Sequence, residues 1–204
     1  MARSKAEPSR RQRQRDAKTA AVAKARAVAP SKTVRLGSTP RTLFRGNADI
    51  FGRLVEDHDR HRALFSMLEQ THGKSPERKR LFRELVREIK AHAAAEEQAL
   101  WSTVMRDPKT TEVARHAVGE HKEMDKMLAD LAARDMASTA WKKRLGAAKE
   151  EYLHHIREEE QEQFVESQQR LTNADVRYLR GVFSRRKKAE KSTARIEKKI
   201  RLKE

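Results

Sequence analysis

The chain has 204 residues, enough for one ordinary domain with extensions. Charged residues make up 38% of it while Gly and Pro number 7 and 5, a balance that favours helices over sheet. It has no cysteine, which excludes disulfides, iron–sulfur clusters and thiolate metal sites, and no stretch approaches the ~18 apolar residues that cross a membrane. The net charge of +17 is unevenly placed: residues 1–45 carry +11, residues 181–204 carry +7, and residues 46–180 carry −1. Two basic arms therefore flank a neutral middle.

Segment 1–45 has few large apolar residues and reads as a disordered basic arm, with nascent helix at most around 16–29. From Asn47 four helical blocks follow. The first runs from about Ala48 to Thr71 and stops before Gly73. The second opens on Ser75-Pro76-Glu77, an N-cap with proline at the first helical position, and runs to about Arg106. The third spans about Thr111–Arg134 and the fourth about Ser138–Leu171. Short connections between long helices predict an all-α, up-down-up-down four-helix bundle over 46–171. A fifth helix starts after Thr172-Asn173 and dissolves into the basic tail, so that 172–204 forms a C-terminal helix and tail.

Apolar residues at 3-4-3-4 spacing mark the inward seam of each helix. These seams read Phe51, Leu54, His58, His61, Phe65, Leu68; then Phe82, Leu85, Ile89, His92, Glu96. The third and fourth read Ala114, Ala117, His121, Met124, Leu128, Leu131; then Leu145, Ala148, Tyr152, His155, Glu159. Histidine interrupts every one. A shuffled chain of this composition would hold roughly one His-xxx-Glu pair, and this one holds four, at His92, His116, His154 and His155. Spacing alone does not separate a site from solvated i,i+4 pairs on a helix surface.

An internal repeat does. A shift of 63 residues carries His58 onto His121, His92 onto His155, Glu96 onto Glu159 and Trp101 onto Phe164. His116 and His154 fall instead on Arg53 and Ala91. The bundle thus reads as two tandem helical hairpins related by a pseudo-two-fold axis, which can bring four His and two Glu to one level.

Six ionisable groups in a core are costly without partners. Four imidazoles and two carboxylates satisfy two divalent cations, with two His on each ion and both Glu spanning them. The alternative is a hydrogen-bonded polar layer that fixes bundle register. Nitrogen and oxygen donors without thiolate suit iron, manganese or zinc, and iron adds dioxygen chemistry. Asp57 and Glu120, each one residue before a histidine, are placed to orient an imidazole on a neighbouring helix. His61 has three readings: a fifth nitrogen ligand, a partner that orients a ligand, or a core histidine bonded to a carbonyl. Tyr152 either points its hydroxyl at a small molecule held in the centre or packs in the core.

The order His58, His92-xxx-Glu96, His121, His155-xxx-Glu159 on four antiparallel helices resembles the hemerythrin family, in particular the bacterial-type hemerythrin HHE cation-binding domain. The likeness covers about residues 48–170. It implies a non-haem di-iron centre, with or without an oxo or hydroxo bridge, and with those six residues at the ligand positions. It also implies dioxygen or another small oxidant as the partner. Three readings follow: a protein that binds or senses dioxygen or handles iron, an oxidoreductase acting on peroxide or nitric oxide at the same centre, and an iron protein held on nucleic acid by its basic arms. The proline that often follows the aromatic residue in such domains is absent here, where Ser102 and Val165 stand. The animal oxygen carriers have five His and an Asp, against a more symmetric four-plus-two set in this chain.

The arms carry Arg10, Arg11, Arg13 and Arg15, and Arg185, Arg186, Lys187 and Lys188. Such runs bind polyanions without sequence specificity, whether nucleic acid or an anionic membrane, or else only aid solubility. The composition fits a cytoplasmic protein, with a mitochondrial transit peptide in the first 45 residues as the lesser alternative.

Overall fold

The structure, a computed structural model, describes residues 7–34, 36 and 42–202. Among them there are helices and no strand. Helix α1 is Arg10–Arg26 and α2 is Ile50–Glu69. Helix α3 runs Pro76–Glu96 and continues through a π turn, Glu97–Trp101, to Ser102–Val104. Helix α4 is Thr111–Ala133. Helix α5 runs Thr139–Glu158 and continues through a second π turn, Glu159–Gln163, to Phe164–Gln168. Helix α6 is Asn173–Thr193.

The ends are set by the residues that the sequence offers as caps. Ser75 accepts from the Arg78 amide with Pro76 behind it, and Ser138 accepts from the Trp141 amide. Thr172 and Asp175 satisfy each other's backbone in a capping box that starts α6. Gly73, at φ +55°, takes the left-handed turn between α2 and α3. Helices α2 to α5 form the four-helix bundle, α2 against α3 and α5, and α4 against α3 and α5. Two apolar clusters fill it. One holds Phe65, Leu85, Ile89, Leu128, Trp141 and Tyr152, and the other holds Phe44, Phe51, Leu54, Trp101, Phe164 and Phe183. The histidines of all four seams lie buried alongside these clusters.

The N-terminal arm differs from the expectation of disorder. Helix α1 packs along α2 through Ala21 and Ala25, with Ala29 just beyond it, all buried. Alanines four apart give a flat stripe on which two helix backbones approach closely, so little side-chain volume is needed to dock the helix. Counting large apolar residues misses such a stripe. Residues 1–6, 35 and 37–41 of the expected arm lie outside the described residues. Its last member, Arg45, is buried in a bidentate pair with Asp59 of α2, at 2.7 and 2.9 Å.

The C-terminal basic run is likewise structural in part. Helix α6 lies on α2 and α3 as far as Thr193, and Lys187 points inward at 5% exposure. Its ammonium meets Asp57 at 2.5 Å and Glu88 at 2.8 Å, while Lys191 pairs with Glu84 at 2.9 Å. Lys187 is therefore withdrawn from any polyanion. Arg11, Arg15, Arg185 and Lys188 are exposed, and Arg186 pairs with Glu190 at 2.6 Å. Beyond α6 the chain turns back, and the Leu202 amide donates to Asp130 at 2.9 Å. No helix among the described residues is long and apolar enough to cross a membrane.

Two outcomes follow. Replacing Lys187 by Ala leaves Asp57 and Glu88 buried without their shared cation, and denaturant unfolding should show a loss of about 3–5 kcal/mol; a loss below about 1 kcal/mol would contradict the buried placement. Limited trypsinolysis should leave the Arg10–Arg26 segment intact for as long as the bundle survives. Rapid cleavage there in the folded protein would mean that α1 does not dock.

Candidate metal centre

The four seam histidines meet at one level with their Nε2 atoms inward. His58 and His92 approach to 3.2 Å between Nε2 atoms, with Glu159 3.3 Å from His58 and Glu96 3.3 Å from His92. Across the axis, His121 Nε2 lies 3.5 Å from Glu96, and His155 Nε2 lies 3.5 Å from Glu159. Each glutamate thus reaches a histidine of both hairpins. His58, His92 and Glu159 form one group of converging donor atoms and His121, His155 and Glu159 another; these five residues and Glu96 are all buried.

Every imidazole is fixed from behind by a carboxylate on its Nδ1. His92 faces Asp57 at 3.3 Å and His155 faces Glu120 at 2.9 Å. His58 faces Glu160 at 2.9 Å and His121 faces Glu97 at 2.9 Å. A proton on each Nδ1 donates to its carboxylate and leaves the Nε2 lone pair aimed at the centre. The sequence singled out Asp57 and Glu120 for this role but not Glu97 and Glu160. Their signal was available in the doublets Glu96-Glu97 and Glu159-Glu160, which also obey the 63-residue shift.

The two π turns explain how adjacent glutamates do different work. One begins just after Glu96 and the other at Glu159. The extra residue widens the turn, so one carboxylate aims into the centre while its neighbour reaches an imidazole on another helix. A continuous α-helix would set the two about 100° apart.

His61 and Tyr152 are a pair, with the phenol oxygen and His61 Nδ1 sharing a hydrogen bond at 2.5 Å. Burial holds both neutral, raising Tyr152 well above its usual range and lowering His61 well below its own. His61 Nε2 is buried without a hydrogen-bond partner, and its ring lies edge-on to His92 at 5.2 Å. Arg62 supports Glu160 at 2.9 Å, and Lys187 and Arg53 support Asp57 at 2.5 and 2.7 Å. Phe183 of α6 covers His92, and Phe164 stacks on His58.

The donor set fits cations. Both oxygens of Glu96 and of Glu159, and Nε2 of His121, are buried with no hydrogen-bond partner. With Nδ1 protonated, the 3.3–3.5 Å contacts bring lone pair against lone pair, which only a positive charge between them makes favourable. Protons serve in part. Burial disfavours charge on His121, but Glu96 and Glu97 outweigh it and lift the imidazole to about 9. Burial and the charges of Glu96, Glu120 and Glu160 push Glu159 well above the usual carboxylate range. Burial pushes His58 down to about 4 and lowers His155, against the pull of the carboxylates behind them.

The chain matches the Hemerythrin HHE cation binding domain over residues 49–165. No curated protein matches it. Among solved structures, a hemerythrin HHE cation-binding domain-containing protein from Mycobacterium kansasii superposes with a TM-score of 0.63 at 20% identity. The match covers 71% of this chain and 88% of that one, and at this identity it bears on the fold.

Metal-free protein has a defined pH dependence. Unfolding frees His58, His61 and His155 to take up protons below about 6.5, whereas the folded chain keeps them neutral to lower pH, about 4 for His58. The unfolded state then binds more protons, so stability falls as pH drops from about 6.5 toward 4. Glu159 opposes this, since its raised folded value adds stability that fades as pH rises above 4.5. The raised value of His121 acts higher, its contribution fading from 6.5 to about 9. Three imidazoles outweigh one carboxyl, so denaturant unfolding should show a loss of about 3 kcal/mol between pH 7 and pH 5. Equal or greater stability at pH 5 would contradict the buried neutral histidines. Six ionisable groups turned inward at one level, the fold and the match over more than half its length together place the chain in the hemerythrin HHE cation-binding family, as a metal-binding four-helix protein.

Proposed function

We propose that this protein is a non-haem di-iron protein that binds or senses dioxygen, or another small oxidant of that size. The observation that carries the reading is the convergence of four Nε2 atoms on Glu96 and Glu159, two buried carboxylates with no hydrogen-bond donor of their own. His58 and His92 would hold one ion, and His121 and His155 the other, with Glu96 and Glu159 shared between them. The iron pair would supply redox chemistry toward oxygen, which neither imidazole nor carboxylate has. The residues of the chain do the remaining work. Asp57, Glu97, Glu120 and Glu160 hold the imidazoles in one tautomer and raise their basicity.

Access favours a small partner. The six inward residues are at most 7% exposed, so nothing bulky reaches them. Cavities of about 760 and 340 Å³ border His121 and His155, while Phe164 and Phe183 pack over His58 and His92. The Tyr152 ring lies 6.0 Å from that of His155, and its hydroxyl is held by His61, whose ring lies against His92.

Metal analysis and optical spectroscopy of protein purified without chelators test the reading. Two irons per chain with near-ultraviolet charge-transfer bands that change on admitting air are expected. Glu159→Ala and His92→Ala should each lower iron affinity by at least about tenfold. Iron-free protein that also fails to take up ferrous iron, or variants that load like the parent, would overturn it.

A further inference from the structure

The repeat that pairs the hairpins also pairs their outer surfaces, and there the two halves differ. Asp57, behind His92, is balanced by two resident cations, the Arg53 guanidinium at 2.7 Å and the Lys187 ammonium at 2.5 Å. Its counterpart is Glu120, behind His155. The residue matching Arg53 is His116, and the residue matching Ala95 is Glu158. His116 Nε2 lies 3.6 Å from Glu120 and 3.6 Å from Glu158, and His154 Nδ1 lies 3.7 Å from Glu158. Where the first hairpin has fixed positive charge, the second has an imidazole and carboxylates that converge on one point, a grouping with metal-ligand spacing. A first-row ion bound at ~2.0–2.2 Å keeps its ligand atoms roughly 3–4 Å apart, which matches these separations.

The place is exposed and connected. His116 is 60% exposed and Glu158 31%. A cavity of about 340 Å³ runs from His116 and Glu120 inward to Met124 and His155. Although the chain carries +17 overall, this mouth holds Glu120, Glu123 and Glu151, and its one arginine, Arg115, is paired with Glu112 at 3.0 Å. Such a mouth concentrates cations from solution.

We propose that His116, Glu120 and Glu158 form a surface site for a divalent transition-metal ion, and that this site feeds the buried centre through the cavity beside His155. The transfer half of the proposal rests on the reading of the centre as a metal site; the surface site does not. Glu120 links the two, because its carboxylate touches both His116 and His155.

Anaerobic titration with ferrous iron tests it. The full-length parent should bind three ions per chain, two of them retained on desalting and the third lost. In the His116→Ala/Glu158→Gln variant the third ion should vanish. The retained pair should form about tenfold more slowly, with the same final content. His116→Arg restores the arrangement of the first hairpin and should do the same while keeping Glu120 balanced. Loading at the parental rate in both variants, or a third ion that persists in them, would overturn the proposal. A parent that retains no iron yet binds one ion through His116 and Glu158 would instead sink the reading of the core and leave the surface site standing.

Discussion

Each imidazole of the centre is held between two carboxylates, one on Nδ1 from behind and one of the shared pair Glu96 and Glu159 in front. Six carboxylates therefore surround four histidines inside a helical bundle, and their mutual repulsion in a weakly screened interior has to be offset by positive charge. Raised values at His121 and Glu159 show how protons meet part of that demand. A bound cation would meet it better, since it would bring its charge to the point where the lone pairs converge. The π turns, the buried Arg62 and Lys187, and the aromatic packing around His58 and His92 all follow from keeping this arrangement out of water.

The two hairpins are alike at the centre and unlike outside it. On the first, Arg53, Arg62 and Lys187 anchor the carboxylates behind the histidines, and Phe183 closes the surface. Behind the histidines of the second, Glu97 is 40% exposed, Glu120 is 22% exposed, and both border cavities. Helix α6 accounts for much of the difference, because it lies along α2 and α3 and brings Phe183 and Lys187 against the first pair. A duplicated hairpin thus acquires a closed half and an open half through one added helix.

How far the sequence carries the reader depends on how local the signal is. The ligand-bearing seams were legible because period 3.6 and a 63-residue repeat act within and between helices that the caps at Ser75, Ser138 and Thr172 already delimit. Asp57 and Glu120 were legible as flanking acids for the same reason. Glu97 and Glu160 were not, because their role depends on π turns, and a straight helix points them elsewhere. Helix α1 was legible only as nascent helix around 16–29, and its docking was not, because its stripe is alanine, which composition treats as weakly apolar although it lets backbones pack closely. Lys187 was read as one of four solvated cations, since nothing within its own helix reveals that Asp57 and Glu88 of two other helices are waiting for a charge.

The buried lysine also bears on why the basic composition is not a simple index of polyanion binding. Arg45, Arg62, Arg78 and Lys187 are each at most 9% exposed. All but Arg78 pair with carboxylates; Arg78 instead bonds Thr71 and the Met136 carbonyl and lies over Trp141 at 4.9 Å. Charges placed this way cannot release counterions from a nucleic acid, because they are already neutralised or enclosed within the fold. Of the two basic runs, Arg10, Arg11, Arg13 and Arg15 on α1 and Arg185, Arg186 and Lys188 on α6 remain exposed. A polyanion contact made through α1 or α6 would therefore meet short rows of charge whose spacing is set by the bundle.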